Sequence, residues 1–280
     1  MPSCDEDQPM MNRKKGFFWL CTMICLGSCT AFHKVKNDPD WEIRYRAAIR
    51  YYESEEYAKA SLLLEPLLNL TKGSEDGERI LWMYAQSLYN QKKYILSAYH
   101  FKEFTDTYIQ SPERENAYFL HVSSKYEITN PHNLDANPTF EVISVAQNFL
   151  DLYPKSSYRE EVQGIMDEMQ ISLEKKAFGQ VKMYFHMEYN RATTVSSRHF
   201  REDFPDSAYV PESMYLEILA QYRWAQRSIP EKQSERYKKV LSLHERFVDL
   251  FPEDPFLRES AVVYTASQQA LRDLNKMITK

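Results

Sequence analysis

The side chains able to do chemistry in this chain are unevenly placed. Its four cysteines, Cys4, Cys21, Cys25 and Cys29, all fall before position 30, so nothing beyond them can form a disulfide or a thiolate metal site. The seven histidines, His33, His100, His121, His132, His186, His199 and His244, show no paired spacing that would put two ligands on one helical face. No Gly-x-Ser-x-Gly, Gly-x-x-x-x-Gly-Lys, His-Glu-x-x-His or dinucleotide glycine pattern occurs. Carboxylates are plentiful but stand beside lysines, as in Glu174-Lys175-Lys176, the pattern of a solvated face. These absences argue against an enzyme, a resident metal or a cofactor.

Arg13-Lys14-Lys15 precedes an apolar run from Gly16 to Leu26, which ends in Leu26-Gly27-Ser28-Cys29. A basic stretch, a short apolar core and small residues before a cleavage point make a secretory signal, and the run is too short for a comfortable membrane span. A cysteine directly after Leu-Gly-Ser resembles the bacterial lipobox, which implies thioether lipidation of Cys29 and cleavage before it. An uncleaved anchor and a plain signal peptide are the alternatives. Met10 and Met11 sit just upstream of the basic cluster, and Asp5, Glu6 and Asp7 are unusual for a signal, so residues 1–10 read as an over-extended start. Residues 1–28 are then the signal peptide and 29–39 a lipidated tether. Without the three acidic and three basic leader residues the balance stays at −5, as in the whole chain, with 43% hydrophobic residues and only 6 glycines. That suits a helical globular body and disfavours nucleic acid as a partner.

What must position any binding surface is a repeated phrase: an aromatic, three residues, a second aromatic, then proline. It reads Phe149 to Pro154, Phe200 to Pro205 and Phe247 to Pro252, with a degenerate copy at Phe104 and Tyr108 followed by Ser111-Pro112. The first aromatics lie 45, 51 and 47 residues apart, a period of helical-repeat proteins. Aromatics at i and i+4 share a helix face, the proline stops the helix, and Ser156 or Ser207 is placed to cap the next one. The pattern predicts an all-α, tetratricopeptide-like solenoid of about five hairpins and a closing helix. The expected helices are Asp40–Glu53, Glu56–Leu70, then about 76–90, 93–109, 113–128, 139–152, 157–187, 190–203, 208–227, 233–250 and 256–277. A break falls at Lys72-Gly73-Ser74 and an inserted loop at 130–138. Repeats 1–3 occupy 40–153, and repeats 4–5 with the closing helix occupy 154–280. Small-residue spacings at Tyr57-x-x-Ala60-x-x-x-Leu64, Tyr94-x-x-Ser97-x-x-x-Phe101 and Tyr189-x-x-Ala192-x-x-x-Ser196 predict close approach of paired helices; Tyr237-x-x-Val240 is a weaker copy, and the third repeat lacks the signature.

First helices carry aromatics seven residues apart, hence on one stripe. The pairs are Tyr45 with Tyr52, Trp82 with Tyr89, Phe119 with Tyr126, and Tyr215 with Tyr222, while Ala177 replaces the first member before Tyr184. Two roles fit the stripe. It is either packing between helices or the lining of a groove for an extended, aromatic-rich peptide. On the second reading Tyr45, Tyr52, Trp82, Tyr89, Phe119 and Tyr126 form a peptide groove, and Tyr184, Tyr215 and Tyr222 a C-terminal docking groove.

The lipobox, the tetratricopeptide-like hairpins, the Phe-x-x-x-(Tyr/Phe)-Pro-x-Ser phrase and the section Leu173 to Phe178 leading to Tyr184, Phe185 and Tyr189 together resemble the BamD family of outer-membrane assembly lipoproteins. The resemblance covers residues 29–275. It implies a lipid-anchored scaffold on the periplasmic face of the outer membrane. Its C-terminal repeats would dock on the periplasmic domains of a BamA-type β-barrel protein, and its N-terminal repeats would recognise the C-terminal strands of unfolded outer-membrane proteins, which end in an aromatic. Another periplasmic tetratricopeptide scaffold, coordinating cell-wall and envelope growth, and a glycan-binding outer-membrane lipoprotein remain as alternatives.

Overall fold

The computed structural model describes residues 32–129 and 135–278, so Cys29, the signal segment and most of the expected inserted loop lie outside the described residues. From Trp41 on, the described residues form α1 Trp41–Glu53, α2 Tyr57–Leu64, α3 Leu68–Thr71, α4 Glu75–Asn90, α5 Tyr94–Thr107, α6 Arg114–Glu127, α7 Asn137–Leu152, α8 Arg159–His186, α9 Asn190–Asp203, α10 Val210–Gln226, α11 Pro230–Leu250 and α12 Leu257–Ile278. No strand occurs among the described residues. The chain is an all-α, tetratricopeptide-like repeat protein.

Each phrase builds the same turn. The first aromatics Phe104, Phe149 and Phe247 are fully buried, and Phe200 is 2% exposed. The amide of the second aromatic donates to the carbonyl of the first at 2.9 Å in Tyr108, Phe204 and Phe251 alike. The second aromatic then leaves the helix with ψ of 63–65° in those three copies, which ends the helical hydrogen-bond ladder. Three residues later Ser111, Ser156, Ser207 and Asp254 each accept, on the side chain, the amide two positions further on, at 3.1, 3.0, 3.3 and 2.8 Å. Their carbonyls then receive the amide that opens the next helix, at Arg114, Arg159, Val210 and Leu257. These three hydroxyls and one carboxylate therefore brace the turn three residues ahead of each helix.

Counting back from those aromatics reveals a buried stripe on every second helix, at ten, seven, three and zero residues before the phrase. It comprises Thr139, Val142, Ala146 and Phe149 on α7, Asn190, Thr193, Ser197 and Phe200 on α9, and Tyr237, Val240, His244 and Phe247 on α11. On α5 it holds Ser97, Phe101 and Phe104, with Tyr94 half-buried. On α2 it continues as Ala60 and Leu64, with Leu67 in the 3-10 turn Glu65–Leu67 that follows, and Ser74 accepts the Gly77 amide at 3.0 Å directly before α4. The first repeat thus holds a fifth copy of the phrase, disguised because Leu67 and Thr71 stand where aromatics stand elsewhere.

Three expectations are corrected. The helix expected over Glu56–Leu70 breaks into α2, a 3-10 turn at Glu65–Leu67 and α3, because Pro66 has no amide to donate and collides with the preceding turn. Part of the expected tether, residues 32–36, is helical, and its Phe32 ring packs edge-on to Tyr51 at 5.7 Å. In the fourth hairpin the buried small residues are Thr193 and Ser197, one position beyond Ala192 and Ser196. Tyr189 there is 55% exposed, and the Ser197 hydroxyl meets that of Ser213 on α10 at 2.8 Å, which sets the register.

Two compact units are present: the chain up to Ile128 with Asp151–Arg159, and Thr129–Leu150 with Glu160 onward. In the first, α1 packs on α2, α2 on α4, α4 on α5 and α5 on α6; in the second, α9, α10, α11 and α12 pack in succession. Phe247→Ala should lower stability by about 3–5 kcal/mol and Ser207→Ala by about 0.5–2 kcal/mol. Urea denaturation measures both, and a cost below about 1 kcal/mol for Phe247→Ala would show that the stripe is not core.

Candidate docking surfaces

The first-helix aromatics are shared between packing and solvent. Tyr45 stacks on Trp41 at 6.3 Å, and Tyr52 meets Tyr57 edge-on at 5.8 Å while its hydroxyl donates to Gln86. Burial raises the pKa of both phenols. Trp82 lies against Phe101 and Phe104 at 5.8 and 5.5 Å, and Tyr89 against Tyr94 and Phe101 at 5.5 and 6.5 Å. Phe119, 9% exposed, stacks on Tyr158 at 4.2 Å, and Tyr126 is half-buried. Tyr45, Tyr52 and Trp82 pack on one cluster of buried side chains, and Trp82 and Tyr89 on the next, so Trp82 bridges the two.

In the C-terminal unit Tyr215 and Tyr222 pack on a common cluster. Tyr215 stacks on Phe256 at 4.6 Å and donates to Glu259, and burial with that carboxylate pushes its pKa up to about 12. Tyr222 faces Tyr237 at 6.0 Å. Tyr184 is separate from both, lining a hollow of ≈ 360 Å³ with Ala177, Gln180 and His199. The paired-helix contacts give most of these rings a structural duty as well as an exposed part.

Two surfaces were not legible from the first-helix pattern. On α5, Ile95, Leu96 and Tyr99 are 71%, 48% and 65% exposed. Ile95 and Tyr99 line a hollow of ≈ 460 Å³ together with His121 and the lysines Lys72, Lys102 and Lys125. These apolar residues follow directly on Tyr94 and lie off the buried stripe. That offset is the signal that finds them.

The other surface is a cationic cleft of ≈ 590 Å³ between α9, α10 and α11, lined by Arg191, Arg198, Lys232, Arg236, Lys238 and Lys239. The sequence shows Arg191 and Arg198 seven apart and Lys232, Arg236 and Lys239 at steps of four and three, each set on one helix face. The two sets lie some forty positions apart, so only the packing of α9 against α11 across α10 joins them. At its floor Glu217 is 5% exposed and paired with Arg201 at 2.6 Å, and Arg201 also donates to Ser197 at 2.7 Å. Burial raises the Glu217 pKa despite the pull of Arg201.

Among the described residues no group of three or more His, Cys, Asp or Glu side chains is placed to hold a metal ion, and no helix is long and apolar enough to cross a membrane. The arrangement is one of helical hairpins with exposed apolar and charged surfaces on a packed core. Residues 37–237, well over half of the chain, match the YfiO family, described as outer membrane lipoprotein. The chain belongs to this family. A search of curated proteins finds no match. The YfiO match spans α1 to α10 and ends inside α11, so it takes in the aromatic column, the α5 surface and much of the cationic cleft.

One buried group ties this surface to pH. His121, 5% exposed, donates from Nδ1 to the Ala98 carbonyl at 2.7 Å, and burial pushes its pKa down to about 4. Since the unfolded imidazole titrates near 6.5, the folded state holds His121 neutral, and its contribution is intact above that value and lost as pH falls toward 4. Urea midpoints should therefore fall between about pH 6.5 and 4, and the His121 ring should titrate near 4 by NMR. A ring that titrates near 6.5 in the folded protein would contradict this environment.

Proposed function

We propose that this lipoprotein is a scaffold of the β-barrel assembly machinery, anchored through a lipidated Cys29 to the periplasmic face of the outer membrane. Membership of the outer membrane lipoprotein family over residues 37–237 carries the reading. A lipid anchor confines the repeats to the bilayer where barrels are inserted, which raises their effective concentration without new contacts. The repeats supply recognition.

In this reading the N-terminal repeats receive the C-terminal strands of unfolded outer-membrane proteins. The exposed parts of Tyr45, Tyr52, Trp82, Tyr89, Phe119 and Tyr126 offer aromatic area with hydroxyls for backbone groups. The hollow on α5 adds what the end of such a strand needs. Ile95 and Tyr99 would take an aromatic side chain; Lys72 and Lys102 pair at 2.9 Å with Glu103 and Asp106 of the same hollow, and three lysines against two carboxylates leave a net positive lining that would attract the terminal carboxylate. The C-terminal repeats dock on the periplasmic domains of a BamA-type β-barrel protein, with Tyr184, Tyr215 and Tyr222 as candidate contacts.

A labelled peptide ending in a phenylalanine carboxylate, matched to a strand end, tests the recognition step by fluorescence anisotropy. Ile95→Ser with Tyr99→Ser should weaken binding by roughly tenfold or more, because two exposed anchors are lost while the core is untouched. Equal binding by the variant and by a peptide amidated at its end would remove this surface from the reading.

A further inference from the structure

Charge is distributed against the composition of this chain. The protein carries a formal net charge of −5, yet six lysines and arginines converge on one cleft in its C-terminal unit. Two carboxylates share the lining, Glu217 and Glu235. Glu217 is buried and paired with Arg201 while also feeling Arg198 and Lys239, and Glu235 pairs with Lys232 at 3.8 Å. Arg191, Arg198, Lys238 and Lys239 are exposed and make no ion pair among the described residues. Like charges held this close repel one another unless an anion joins them.

The lining also selects among anions. A protein partner would need an aromatic or aliphatic anchor at the centre of its contact. The only large apolar side chain in the cleft, Trp224, already has the Arg236 guanidinium over its ring at 4.1 Å. Apart from the small aliphatic Val195, what is left on offer is guanidinium and ammonium groups with the Gln221 amide and the hydroxyls of Thr194 and Ser242. Such a set matches an oxyanion with several acceptor oxygens, and guanidinium forks suit phosphate in particular. The volume of ≈ 590 Å³ exceeds one phosphate and has room for a second phosphoryl or a glycerol unit.

We propose that the cleft between α9, α10 and α11 is a binding site for a phosphoryl-bearing anion, held by Arg191, Arg198, Arg236 and Lys239. Two sources share this chemistry, a soluble phosphate ester and an anionic phospholipid head group. The site stands apart from the assembly reading, since it needs neither a barrel partner nor a strand end.

The test uses the full mature chain in uncharged detergent micelles, titrated calorimetrically with inorganic pyrophosphate at low salt. Binding should be seen, should weaken as salt rises, and should fall by roughly tenfold or more in Arg198→Gln with Lys239→Gln, which removes two charge-assisted contacts. Both side chains are exposed but also lie in the field of buried Glu217, so the thermal midpoint is recorded for each variant, and Arg198→Lys with Lys239→Arg, which keeps both charges, should keep the midpoint and most of the affinity. Micelles doped with phosphatidylglycerol, but not with phosphatidylcholine, compete with pyrophosphate if the ligand is a lipid head group; an absence of competition assigns a soluble ester. Failure of pyrophosphate to bind, indifference to the double glutamine variant, or tighter binding of a polyglutamate peptide than of pyrophosphate would overturn the proposal. The last result would assign the cleft to an acidic protein surface.

Discussion

The second helix of each described hairpin has to bury one stripe of three or four residues, and the rest of the structure depends on that stripe. It ends in a large side chain, Leu67, Phe104, Phe149, Phe200 or Phe247, that is at most 2% exposed, placed just before the helix stops. Burying such a ring contributes several kcal/mol, far more than the turn hydrogen bonds that follow it. The turn matters for direction. A serine or aspartate three residues past the second aromatic accepts an amide and aims the chain into the next helix, and α6, α10 and α12 pack back on α5, α9 and α11 in this way. With the same step repeated, stability becomes largely a matter of neighbouring helices.

That arrangement explains what the outer faces can do. Positions off the stripe divide: Leu63, Ala98 and Leu243 are buried with it, while the outward ones carry the exposed Ile95 and Tyr99 on α5 and the cations of α9 and α11. The first-helix aromatics are intermediate: Trp82 bridges two clusters of buried side chains, so its removal would disturb the core as well as any groove. Function and folding are thus separable on the second helices and entangled on the first.

The fold was largely legible because proline, serine and paired aromatics act locally, and helix ends fall within a few residues of their expected places. Three features were hidden for physical reasons. Leu67 and Thr71 do the work of aromatics in the first repeat, which no search for the phrase would find. The register in α9 is decided by a hydroxyl contact between Ser197 and Ser213, sixteen residues apart, rather than by Tyr189. The cationic cleft joins residues some forty positions apart through the packing of three helices, in a chain whose overall charge points the other way. The aromatic column was visible as a pattern, but only the structure shows how much of each ring faces a neighbouring helix.

The account rests on a lipid-anchored helical scaffold that holds other polypeptides at the outer membrane, and native purification from membranes tests that most directly. With a tag at the C-terminus and mild detergent, the account predicts that the chain is recovered with an acylated Cys29 and with a BamA-type barrel protein in stable proportion. Reproducible recovery without any barrel protein, and with enzymes of cell-wall synthesis in its place, would contradict it.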